Sequence, residues 1–110
     1  MITNRPSIFI YTYNPDADIL KEICAGIEEE GVLFDVIEKP EMDTRDLAYE
    51  AANESVLGSG IGLSYGMAAM QMRNVNRDKP VFLLDRPDKE MSRKMGTNSA
   101  RAIKRKAFQI

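Results

Sequence analysis

The stretch Ser7–Ile37, SIFIYTYNPDADILKEICAGIEEEGVLFDVI, decides the fold. It opens with a β-branched and aromatic run, Ser7–Tyr13, closed by Asn14-Pro15, which is the signature of a strand followed by a turn. Asp16 or Asp18 then stands where a helix N-cap belongs. Ile19, Leu20, Ile23, Cys24 and Ile27 recur at helical spacing, and Gly31 supplies the stop. Val32–Ile37 follows as an apolar run of the kind that forms a buried strand, ending near Lys39-Pro40. The order is β-α-β.

The elements further on extend this pattern. Asp43, with Asp46 three residues later in imitation of a capping box, starts a short helix that buries Leu47, Ala48, Ala51 and Ala52. Gly60–Ser64 reads as a central strand whose glycines admit close backbone approach, and Ser64-Tyr65-Gly66 as a turn. Met67–Met72 has the composition of a helix, but so short a link suits an antiparallel hairpin better than a crossover, and we assign a strand. Val81–Asp85 is read as a further buried strand, and Arg86-Pro87-Asp88 leads into a last helix from Lys89 to Lys106. Alternating strands and helices imply an α/β fold with a largely parallel sheet covered by helices on both faces. With no repeat and no linker, residues 1–110 read as one domain.

Composition narrows the chemistry. A chain of 110 residues, 44% hydrophobic and 29% charged, can bury a core of its own. No apolar run approaches the roughly 18 residues of a membrane span, and Met1–Ser7 lacks the features of a secretory signal, so a cytoplasmic protein is expected. The single cysteine, Cys24, agrees with a reducing compartment and reads as a core residue. The absence of histidine removes the commonest general base and the commonest transition-metal ligand together. Any metal would have to be a hard cation on carboxylate oxygens. No catalytic constellation and no cofactor site is apparent in the chain itself.

Three features compete for a functional reading. Gly58-Ser-Gly-Ile-Gly62 lacks the third glycine spacing of a dinucleotide loop and any Gly-Lys-Ser/Thr ending, so backbone packing accounts for it better. Glu28-Glu29-Glu30 crowds the last turn of the first helix, where each negative charge opposes the macrodipole. That end is either solvated, or turned toward a cation or a basic partner. From Lys89 to Ile110 the imbalance is reversed, seven Lys or Arg against one Glu, a net +6 that leaves −8 for the rest of a chain whose total is −2. Lys104, Arg105 and Lys106 suit a helix C-terminus. Nucleic-acid binding is the rival use, and the pI near 5.2 weighs against it. Gly96 within this helix suggests close contact with another backbone, with Asn98 hydrogen-bonding nearby.

Taken together, Gly26-Ile-Glu-Glu-Glu-Gly31, Gly60-Ile-Gly-Leu-Ser64 and Gly96-Thr-Asn-Ser-Ala-Arg101 resemble the small subunit of diol and glycerol dehydratase-reactivating factors, over roughly residues 8–108. That family shares its fold with the medium subunit of the adenosylcobalamin-dependent dehydratases, a longer chain. The resemblance implies a three-layer α/β/α domain with a mixed five-stranded sheet, its fourth strand antiparallel. It also implies a non-catalytic role. Paired with a large, chaperone-like ATPase subunit that binds ATP or ADP, such a subunit takes part in releasing damaged cobalamin from an inactivated dehydratase, by docking and subunit exchange. Within the acidic motif the middle glutamate of family members completes a Mg2+ or Ca2+ site at the interface with the large subunit. Here that is Glu29, with Glu28 and Glu30 as solvated neighbours on the same partner surface. Two rival readings are a free-standing relative of the dehydratase medium subunit and an RNA-binding module built on the basic last helix. Diol against glycerol dehydratase, a place inside a bacterial microcompartment, and a homodimer in isolation are left open.

Overall fold

A computed structural model describes residues 6–105. The elements follow the order β1 (Ile8–Pro15), α1 (Ala17–Glu29), β2 (Phe34–Glu38), α2 (Thr44–Glu54), β3 (Ser59–Tyr65), β4 (Met67–Met72), β5 (Phe82–Asp85) and α3 (Lys89–Lys104). The five strands form one sheet in the order β2-β1-β3-β4-β5. β1 pairs in parallel with β2 on one side and β3 on the other. β4 runs antiparallel to both β3 and β5. The sheet is therefore mixed, and the fourth strand is the reversed one, as expected.

The alternation of β1 builds the two halves of the core. Ile8 and Ile10 join Ile19, Ile23 and Ile27 of α1, and Met95 and Ala100 of α3, on one face. Phe9 and Tyr11 meet Leu47 and Ala51 of α2 on the other. Successive strand residues point to opposite faces, so one strand, buried from Ile8 to Thr12, serves both layers. The chain moves outward from β1 to β2, then back across β1 to β3, and the two helices making these moves lie on opposite faces. This reversal makes the gap between β1 and β3 the switch point of the sheet.

Gly60 and Gly62 serve packing. A Cβ at Gly60 would lie 2.2 Å from the Ala52 nitrogen, and one at Gly62 would lie 2.4 Å from the Thr44 carbonyl oxygen, so α2 rests directly on the β3 backbone. The Ala-rich character of α2 has the same cause. Ser64 pairs with Met67, leaving Tyr65-Gly66 as the two-residue hairpin loop, with Tyr65 at φ 54°.

Three expectations are corrected. β2 and β5 are edge strands, half exposed, and not the buried strands their apolar runs suggested; Val36 and Leu83 each keep more than two fifths of their surface in solvent. The capping box of α2 is not formed. Asp43 is the N-cap residue but its side chain makes no cap bond and pairs with Arg45 at 3.3 Å, while Asp46 turns to Arg77 at 3.5 Å. α3 ends at Lys104 on a left-handed Arg105, and Lys106 lies outside the described residues.

Candidate functional site

Asp16 starts α1 by accepting hydrogen bonds from the Asp18 and Ile19 amides, at 2.9 and 3.1 Å. The helix ends at Glu30, whose amide bonds the Ile27 carbonyl, and the chain turns at Gly31 with φ 74°. The last turn holds no basic residue, so α1 does nothing on its own to offset its acidic end.

The offset comes from α3. A Cβ on Gly26 would sit 2.3 Å from the Arg93 carbonyl oxygen, and one on Gly96 would sit 2.0 Å from that of Ile23. The two helices therefore touch backbone to backbone. They run parallel, Ile23 beside Gly96 and Glu30 beside Lys104, so their C-terminal ends share one corner. Arg93 reaches Glu22 with Nη2 at 2.8 Å and Glu29 with Nη1 at 3.0 Å. Glu30 holds Arg101 at 3.4 Å and Lys104 at 3.2 Å, and Lys104 also donates to the Glu30 carbonyl. The acidic excess of α1 and the basic excess of α3 are two halves of one ion-pair network.

The three glutamates consequently differ. Glu30 is not the solvated neighbour the sequence suggested: its side chain is 14% exposed, and its carboxyl is held below the usual range, first by the hydrogen bond from Lys104 and then by the charges of Arg101 and Lys104. Glu29 is 61% exposed and, among the described residues, tied to Arg93 alone. Glu28 is exposed and has no ion-pair partner among the described residues. The Arg93 guanidinium is held more firmly protonated, chiefly by its hydrogen bond to Glu22. Burial, with Glu28 adding to it, pushes the Cys24 thiol up to about 11, which leaves it protonated and unreactive at neutral pH.

Glu22 and Arg93 escaped the sequence reading. Their signal was spacing: Glu22 and Glu29 lie seven residues apart, and Arg93 and Arg101 eight, each pair on one helical face. Among the described residues no group of three or more Cys, Asp or Glu could hold a metal. A hard cation takes several oxygen ligands, and the exposed carboxylates that this corner offers among the described residues are those of Glu28 and Glu29. Of the basic trio assigned to RNA in the rival reading, Lys104 is committed to Glu30, Arg105 caps α3 with its backbone, and Lys106 lies outside the described residues. Among the described residues no helix is long and apolar enough to cross a membrane.

Comparison with known proteins agrees with this architecture. The family model described as dehydratase medium subunit matches residues 5–109. The propanediol dehydratase-reactivating factor small subunit of Salmonella typhimurium is 33% identical over 102 residues, spanning 92% of this chain and 88% of that one. Its counterpart from Citrobacter freundii is 34% identical over 100 residues, 90% and 86% of the two chains. Among solved structures, a diol dehydratase-reactivating factor complexed with ADP and Mg2+ superimposes with a TM-score of 0.92 at 30% identity, covering 97% of this chain and all of that chain. A glycerol dehydratase reactivase gives 0.89 at 27% identity, over 96% and 98%.

Proposed function

The chain belongs to the dehydratase medium subunit family, among the small subunits of diol and propanediol dehydratase-reactivating factors, and on that premise we propose that it acts by docking and exchange in the rescue of an inactivated dehydratase. Its partner in this reading is a large ATPase subunit, which carries the ATP or ADP. The small subunit occupies a docking surface on that partner until a similarly folded dehydratase subunit replaces it, and damaged cobalamin leaves the dehydratase as a result. No catalytic group is required of this chain.

The observation that carries the reading is the likeness along nearly the whole chain to reactivating-factor small subunits. The corner where α1 and α3 end supplies the docking chemistry. Glu30 is consumed in holding the two helices together, which leaves Glu28 and Glu29 presented to a partner. A divalent cation there would neutralise the carboxylates of both proteins, with Glu29 as this chain's oxygen ligand. Arg93 orients that carboxylate and keeps one of its oxygens engaged until the partner arrives.

The test is size-exclusion chromatography of the chain mixed with the large subunit from the same source, in Mg2+, with ADP and then ATP. Co-elution that responds to the nucleotide is expected. Absence of association under both conditions overturns the reading. Glu29→Gln should weaken association in Mg2+ while leaving the fold intact, and unchanged affinity removes the metal from it.

A further inference from the structure

At the opposite end of the α1–α3 pair, the carboxyl ends of β1, β3 and β5 deliver three loops to one corner. Backbone bonds tie these loops together: the Asp16 amide donates to the Tyr65 carbonyl at 3.1 Å, and the Arg86 amide donates to that of Gly66 at 2.7 Å. Between them and the first turns of α1 and α3 lies a cleft of about 480 Å3. That volume lies within the range of roughly 300–1,000 Å3 of small-molecule sites, and the carboxyl ends of strands beside a switch point are where open α/β sheets bind ligands.

The lining divides into groups already committed and groups still free. Asp16 and Asp88 each spend a carboxylate oxygen capping their own helices, Asp88 through the Met91 amide at 2.8 Å. Arg86 and Lys89 line the same cleft, and neither side chain has a hydrogen-bond or ion-pair partner among the described residues. The Asp18 carboxylate is likewise unpaired. Ser92 lines the cleft from α3; it is 1% exposed and its Oγ is buried with no partner among the described residues, an arrangement folded proteins avoid unless something else fills it. Two cations, one carboxylate and one buried hydroxyl, all without partners among the described residues, thus belong to the lining of a cavity of ligand size.

We propose that this cleft binds a small metabolite carrying an oxyanion and a neighbouring hydrogen-bond donor, ammonium or hydroxyl. Arg86, Lys89 and the Ser92 hydroxyl take the oxyanion, and Asp18 takes the donor. A simple anion uses only half of the lining, and the carboxylates of Asp16, Asp18 and Asp88 repel it. A simple cation meets the reverse problem at Arg86 and Lys89. The site lies at the far end of α1 from Glu29 and is independent of the docking corner.

The experiment is a titration of the full-length chain followed by backbone amide shifts, with serine and O-phosphoserine as two-ended probes and acetate and inorganic phosphate as anions alone. Saturable shifts confined to residues 16–19, 66 and 86–92 are expected with one two-ended probe, at an affinity about tenfold above that of its matching anion. Arg86→Gln and Ser92→Ala should each weaken binding by about tenfold, and Glu29→Gln should leave it unchanged. Lys89→Gln, at an exposed helix start, provides a variant whose fold is secure should either of the others misfold. No saturable shift with either two-ended probe overturns the proposal. Equal affinity for the bare anions, or binding indifferent to all three cleft variants, overturns it as well.

Discussion

The two ends of the α1–α3 pair use charge in opposite ways. Where the helices end, four carboxylate–cation contacts join Glu22, Glu29 and Glu30 to Arg93, Arg101 and Lys104. Where they begin, Arg86, Lys89 and Asp18 line one cleft and pair with nothing among the described residues. The difference teaches what each end is for. Paired charges on two helices that touch backbone to backbone fix how the helices sit; unpaired charges around a cavity are held ready for something that is not part of the chain. Glu28, exposed and without an ion-pair partner among the described residues, shares the unspent character of the second end.

The contrast depends on the close helix contact, so the largest effect should come from breaking it. Gly96→Ala puts a Cβ 2.0 Å from the Ile23 carbonyl oxygen, and backbone there cannot give way without parting the helices. Alanine gains about 1 kcal/mol in helix propensity, yet overpacking of this severity should still leave a net loss of about 2–3 kcal/mol. Urea denaturation measures it. A variant as stable as the parent would show that the helices are not in backbone contact, and the charge network would lose its geometric basis.

A smaller effect separates the glutamates of the acidic motif. Glu30→Gln removes the partner of both Arg101 and Lys104 and should lower the urea midpoint, whereas Glu29→Gln, at a mostly exposed carboxylate, should move stability by less than about 0.5 kcal/mol. The pH dependence has a definite sign. The Glu30 carboxyl is held below its ordinary value of 4.5 in the folded chain, so its contribution is complete above that value and is lost as pH falls through the lower, folded one. The Gln variant should therefore show a shallower loss of stability on acidification. Equal acid sensitivity in both proteins would place Glu30 among solvated carboxylates after all.

Much of this was legible in the sequence, and what was not has a physical reason. The β-α-β order, the reversed β4 and the packing role of Gly60 and Gly96 follow from local rules about turn length and side-chain volume. Edge status does not: an apolar run reads the same whether a strand is flanked on both sides or on one, and β2 and β5 are flanked on one side only. The acidic and basic excesses were each visible, but their union spans 71 residues of sequence between Arg93 and Glu22 and depends on the two helices lying side by side and parallel. The free cleft was invisible for the same cause, since Asp18 and Arg86 meet only through the sheet order.

The smallest predicted effect is also the sharpest test of the contrast, because it is a change of sign between two lysines of one helix. Lys89 stands at the first position of α3, where a positive charge opposes the macrodipole and makes no ion pair among the described residues; Lys104 stands at the last, where the dipole favours it and Glu30 pairs with it. Lys104→Gln should destabilise the chain by about 0.5–1 kcal/mol, and Lys89→Gln should stabilise it by about 0.3 kcal/mol. Both shifts should shrink in high salt, because both are electrostatic and neither group is deeply buried. If both variants lose stability, Lys89 has a structural partner, and the beginning of α3 belongs with its end as scaffold. If Lys89→Gln gains stability in the free chain, the lysine is kept at a cost to folding, as a ligand-binding charge is.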